Sequence, residues 1–213
     1  MANLLTILRM LLAIIAIEFL FSGRPELVVA SAFLTVWVII LDGLDGYVAR
    51  AYNEQSDFGS LFDILGDRVV ENFYWIAFAV LGFVGAWVPM VVVARGIITD
   101  GLRSVAFSKG YTAFGEKSMM QNKIFHFLTA SRFSRALYGT AKALAFLFVI
   151  VAYIPNLEYF DLMTLKQYGI YSVIQQYLIL IADILVYTTV AMCVIRGLPV
   201  IFESKRFLDE DKQ

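Results

Sequence analysis

The chain has 213 residues, of which 60% are hydrophobic and only 16% charged, and its formal net charge is −1. A soluble globular chain is typically about 45–50% apolar and about a quarter charged, and one domain of this length cannot hide so much apolar surface in its own core. Disorder, fibrous repeats and an ordinary soluble enzyme are therefore excluded, nucleic acid is disfavoured as a partner, and a lipid bilayer is the natural solvent.

A hydrocarbon core of about 30 Å requires roughly 20 apolar residues per helix, and six runs meet that length as one all-α domain over residues 1–213. Open strands would leave backbone groups unsatisfied in lipid, so the runs are helices. The first run, Leu4 to Phe21, is closed by Ser-Gly-Arg-Pro. It has no Lys or Arg before Arg9 and no small-residue cleavage site, so it reads as a span and not as a cleaved signal peptide. No transit-like leader points to an organelle, and a prokaryotic plasma membrane is the expected location.

The second run, Leu27 to Ala51, ends Asp42-Gly43-Leu44-Asp45-Gly46-Tyr47-Val48-Ala49-Arg50. The third follows Asp57, continues Gly59-Ser60-Leu61-Phe62-Asp63-Ile64-Leu65-Gly66-Asp67-Arg68, and reaches Leu81. Ionisable groups inside a span are costly and mark function by default. Asp42 and Asp45 are spaced i, i+3, and Asp63 and Asp67 i, i+4, so each pair shares a helix face. A short polar turn makes the two helices antiparallel neighbours, and the pairs can face each other. Four carboxylates so close would repel and partly protonate unless cations neutralise them. Two divalent ions of the hard, oxygen-preferring kind, Mg²⁺ or Mn²⁺, match that donor set. Such ions go with phosphate substrates and phosphoryl-type transfer. Gly43, Gly46 and Gly59 open the backbone to a bulky ligand, and Arg50 can contact a phosphate or nucleotide group. The plainer alternative is salt bridging by Arg68 or Arg50. Two facing pairs with interleaved glycines favour the metal.

The fourth run is Trp87 to Phe107, the fifth Arg135 to Ile154, and the sixth Val173 to Ile195, closed by Arg-Gly-Leu-Pro. Arg95, Thr99 and Arg103 share one face of the fourth; Arg135, Tyr138, Gly139 and Lys142 share one face of the fifth. Neither stripe suits lipid, and together they suit a phosphate group. The competing reading is that these cations only balance the acids. Lys117–Arg135 is weakly amphipathic through Met120, Ile124, Phe127 and Leu128 and reads as an interfacial helix, with an ordinary loop as its alternative. His126, the only histidine, reads as an interfacial side chain, and the single Cys193 as a small core residue. Asp183 in the sixth span stays unassigned.

Ten of the 17 basic residues fall in the turn after the second run, the 108–134 connection with Arg135, and the tail, whereas the opposite loops hold only Arg24 and Lys166. The positive-inside rule then puts both termini and the active site on the cytoplasmic side.

Asp42-x₂-Asp45-Gly46-x₂-Ala49-Arg50-x₈-Gly59-x₃-Asp63-x₃-Asp67 resembles the signature of the CDP-alcohol phosphotransferases at all eight specified positions. A chance match per start point is on the order of 10⁻¹⁰. The resemblance implies a six-helix membrane enzyme, commonly a homodimer. It would transfer a substituted phosphate from a CDP-alcohol such as CDP-diacylglycerol to a second alcohol, releasing CMP. It implies that Asp42, Asp45, Asp63 and Asp67 hold the metals and that Asp67 is the general base. It also implies that Gly46, Ala49, Arg50 and Gly59 line the CDP pocket. Asn3-x₂-Thr6-x₂-Arg9 resembles the family's opening, with Ala2 where a Pro is usual, and implies a phosphate contact. Arg95 followed by Gly101-Leu102-Arg103 is similar to phosphatidylglycerophosphate synthases, which implies glycerol 3-phosphate as acceptor with Arg95, Arg103, Arg135 and Lys142 around its phosphate. Asp100, Ser104 and Arg68 depart from that subfamily's usual Ser, Glu and Lys. Inositol phosphate, inositol and serine are the alternative acceptors. A divalent-cation transporter and a silent scaffold are the alternatives of other classes.

Overall fold

The computed structural model describes residues 2–51, 57–108, 122–154 and 170–209, with the backbone alone at 2, 45–51, 57, 58, 60, 123, 130, 170–172 and 205–209. These residues form seven helices: α1 Ala2–Phe21, α2 Pro25–Ala51, α3 Asp57–Val80, α4 Trp87–Ser108, α5 Lys123–Ala130, α6 Arg132–Ala152 and α7 Ile170–Asp209. Among the described residues, four stretches are long and apolar enough to cross a membrane: Asn3–Phe21, Pro25–Leu44, Ile124–Ala152 and Val173–Ser204. This fits an integral membrane protein. The helices α3 and α4 are 24 and 22 residues long, but Asp63, Asp67, Arg68 and Glu71 in one, and Arg95, Asp100 and Arg103 in the other, dilute their apolar character.

One compact unit comprises residues 1–86 and 143–184. Its first two helices are separated by Gly23, whose φ of 65° is the left-handed conformation that closes a helix, and by Pro25, which opens the next with its φ already set. Gly82, at φ 75°, ends α3 in the same way, with the Phe83 N–H donating to the Phe78 carbonyl at 2.8 Å. Helix α1 packs against both α2 and α3. Ala13 and Ala16 are fully buried on it, and such small side chains let helices approach closely. The core of the unit is aromatic. Phe146 stacks on Tyr74 at 4.8 Å and meets Trp75 edge-on at 5.0 Å. The buried Tyr74 hydroxyl shares a 2.8 Å hydrogen bond with Thr35, so its polar end is satisfied.

The second unit comprises residues 87–142 and 185–213. Its distinctive element is an elbow between α5 and α6. Asn122 caps α5 by accepting from the Ile124 N–H at 2.9 Å. Ser131 then ends α5, its own N–H donating to the Phe127 carbonyl, while its hydroxyl accepts from the Ser134 N–H at 3.0 Å and so begins α6. The expected single helix over Lys117–Arg135 is therefore corrected: residues 117–121 lie outside the described residues, and the rest breaks at Ser131 because that residue caps both helices. His126 is exposed on α5.

The expected stop of the sixth span at Arg-Gly-Leu-Pro is also corrected. Helix α7 runs through Pro199 to Asp209, 40 residues in all. An interior proline removes one backbone hydrogen bond and costs about 3 kcal/mol. Beyond it, Val200 is fully buried with Ala106 against Leu102 and Phe125, and the Glu203 carboxylate accepts from the Asn122 N–H at 3.2 Å. These contacts hold the helix past its weak point. Cys193 is buried, as expected of a small core residue.

Candidate active site

Three of the four aspartates of the motif come together. Asp42 lies near the end of α2, and Asp63 and Asp67 lie one turn apart on the first half of α3. One carboxylate oxygen from each lies within 4.8 Å of the other two. The carboxylates are about half exposed, so a polar ligand can reach them. The side chains of Asp45, Ala49 and Arg50, and the surroundings of Gly46, lie outside the described residues. Gly59 is half-buried on the first turn of α3.

Arg9 enters this group from α1 and is 1% exposed. Its guanidinium contacts Asp42, lies 2.9 Å from an Asp67 oxygen, and lies 3.4 Å from an Asp63 oxygen. Thr6, one turn earlier, is buried, and Asn3 is half-buried. Gly66 makes this approach possible: a Cβ there would lie 2.5 Å from the Thr6 methyl carbon and 3.2 Å from an Arg9 nitrogen. Arg68, weighed from sequence as a neutralising partner, approaches Glu71 at 3.7 Å. Glu71 is itself buried, an acid that sequence reading left out. Its i+4 relation to Asp67 was the available signal.

Among the described residues, the three carboxylates outnumber the guanidinium that contacts them. All the acidic donors are hard oxygens, the set that suits Mg²⁺ or Mn²⁺. The residues present therefore fit a divalent ion.

The predicted cations gather in the second unit. Arg95, Arg103 and Arg135 all lie close enough to repel the Arg196 guanidinium. Arg196 also lies 5.1 Å over the Tyr138 ring, and the Lys142 ammonium lies 5.8 Å from the same ring. Arg103 approaches Asp100 at 3.5 Å. The Nε of Arg95 is buried without a hydrogen-bond partner among the described residues. Gly197 gives that side chain its room, since a Cβ there would lie 2.8 Å from Arg95 Cγ. Thr99, expected on the basic face, is buried and donates to the Arg95 carbonyl at 2.8 Å. Sequence reading counted Arg196 with the tail and missed it. It donates to the Ser134 carbonyl at 2.9 Å and the Thr129 carbonyl at 3.3 Å, and so fastens the elbow to α7.

The sequence matches the family model for CDP-alcohol phosphatidyltransferase over residues 1–195. The chain belongs to that family. Among curated relatives of this chain, a CDP-diacylglycerol–glycerol-3-phosphate 3-phosphatidyltransferase of Mycoplasma genitalium is 38% identical over 77 residues, covering 36% of this chain and 33% of the relative. The enzyme of that name from Bacillus subtilis is 30% identical over 86 residues, covering 40% of this chain and 45% of its own length. A probable phosphatidylglycerophosphate synthase of Mycobacterium tuberculosis is 28% identical over 115 residues, covering 52% and 54%. The chain thus spans about a third to about half of the length of these relatives.

Proposed function

We propose that the chain is a metal-dependent membrane transferase. It would move the phosphatidyl group of CDP-diacylglycerol to glycerol 3-phosphate, releasing CMP, in phospholipid synthesis. The observation that carries this reading is the set of three carboxylates from two helices within 4.8 Å, on a chain of the CDP-alcohol phosphatidyltransferase family. The names of the relatives favour glycerol 3-phosphate as acceptor. The cation group of Arg95, Arg103, Arg135 and Lys142 supports an acceptor that carries its own phosphate.

Asp42, Asp45, Asp63 and Asp67 would hold Mg²⁺ or Mn²⁺, which neutralises the donor pyrophosphate and the departing phosphate of CMP. Asp67 takes the proton of the acceptor hydroxyl as its oxygen attacks the phosphorus bearing the diacylglycerol. The bond from that phosphorus to the CMP oxygen breaks. Gly46, Ala49, Arg50 and Gly59 line the nucleotide site. Asn3 and Thr6 stand near the donor phosphates. The whole chain works as one domain of six spans, with α3 and α4 among them, as a homodimer in the cell membrane. The charge asymmetry of its loops favours termini and active site in the cytoplasm, where CMP leaves and the polar acceptor arrives.

The test is an acceptor screen with labelled CDP-diacylglycerol and purified protein, using glycerol 3-phosphate, inositol phosphate, inositol and serine. Metal-dependent CMP release with glycerol 3-phosphate is expected. Release with another acceptor alone would reassign the substrate. No release with any acceptor would remove the enzyme reading and leave divalent-cation transport to be measured in vesicles.

A further inference from the structure

Arg9 sits among the aspartates, where a phosphate contact would have to leave its guanidinium turned outward. Instead its two terminal nitrogens reach an Oδ1 of each of the three carboxylates: Asp42, Asp63 at 3.4 Å and Asp67 at 2.9 Å. The side chain has little freedom to leave, being 1% exposed. The close approach of Thr6 to Gly66 at the neighbouring turn presses α1 onto α3 at this level. Arg9 is thus a cation fixed by the fold against the oxygens that a divalent ion would use.

We propose that Arg9 is an internal counter-ion that shares Asp42, Asp63 and Asp67 with the divalent cation and thereby sets how tightly the site takes it. The inference rests on the metal-dependent reading above. Two opposite effects follow from one charge. Arg9 relieves the mutual repulsion of the carboxylates and so stabilises the helix packing around them. It also weakens the field that attracts a second cation to the same oxygens, because like charges a few ångströms apart repel strongly in a partly buried site. The site would bind metal loosely enough to respond to its concentration, while the chain stays folded at low metal.

The experiment uses the full chain in nanodiscs, with Arg9→Gln and Arg9→Lys. Mn²⁺ affinity is read from the resonance signal of free Mn²⁺, and the thermal midpoint is followed in chelator and in rising Mn²⁺. For Arg9→Gln the expected result is Mn²⁺ binding tightened by about tenfold or more, a lower midpoint in chelator, and a larger rise of the midpoint with Mn²⁺ than in the parent. Arg9→Lys, which keeps the charge without the fork, should stay near the parent in Mn²⁺ affinity; it covers the case in which the glutamine variant does not fold. If it does not fold, tightening of Mn²⁺ by Arg9→Lys as large as that expected for glutamine would overturn the counter-ion role, and an affinity near the parent would support it. Unchanged or weaker Mn²⁺ binding by Arg9→Gln overturns the proposal, and with a raised donor KM it returns Arg9 to phosphate contact. A parent protein that binds no Mn²⁺ overturns this proposal together with the metal reading of the site, a result distinct from equal binding by parent and variant.

Discussion

At the scale of single residues, Asp63 and Asp67 on α3 differ from an isolated acid on an apolar helix by having each other and Asp42 within reach. If Asp67 is the base, Asp67→Asn keeps the shape of the side chain but removes the proton acceptor. Turnover should fall by at least about a thousandfold, while CDP-diacylglycerol still binds in an equilibrium assay. Retained turnover would take the role from Asp67. Among the cations, Arg103→Ala should raise the KM for the acceptor several-fold more than the KM for the donor, and equal effects on both would remove Arg103 from the acceptor site. Much at this scale was legible beforehand. The spacings i, i+3 and i, i+4 tell which residues share a face, and Asp42, Asp63 and Asp67 met as those faces required. Arg9 was expected only as a phosphate contact and Arg196 was counted with the tail, because spacing within one helix carries no information about which side chain a neighbouring helix inserts. Only tertiary packing puts Arg9 against α2 and α3, or Arg196 against the carbonyls of Thr129 and Ser134.

Among the elements, the elbow at Ser131 was the least readable. Apolar residues on both sides of it raise the mean hydropathy across the break, and the stretch Ile124–Ala152 qualifies as one apolar span despite it. A serine that ends one helix and starts the next leaves little trace in periodicity. Removing its hydroxyl should loosen the start of α6: Ser131→Ala is expected to cost about 1 kcal/mol, seen as a lower thermal midpoint. Because Arg135 and Tyr138 sit on the first two turns of α6, the acceptor KM should rise with it. A lower midpoint with an unchanged acceptor KM would show that the elbow holds the fold and not the site. Helix α7 teaches the converse. Gly197 and Pro199 are strong stop signals, yet the helix passes both. The burial of Val200 and the tie from Glu203 to Asn122 outweigh one missing hydrogen bond.

For the molecule as a whole, the apolar fraction predicted helices of spanning length, and such helices are what the chain forms. The scarce charges are what separate its parts: acids gathered in one unit, cations in the other. Helix α7 adds a constraint of its own. A straight helix of its 40 residues would measure about 60 Å, twice the hydrocarbon thickness of about 30 Å. To stay wholly within lipid it would have to tilt by about 60°, beyond the usual range of about 0–40°. The residues that fasten the elbow, Arg196 and Glu203, lie towards the C-terminal end of its apolar stretch Val173–Ser204. Bilayer thickness, through hydrophobic mismatch, is therefore expected to change the depth of that end of the stretch. In vesicles of graded acyl length, turnover should peak at one thickness and fall to either side, whereas indifference to thickness would mean that α7 does not set that depth.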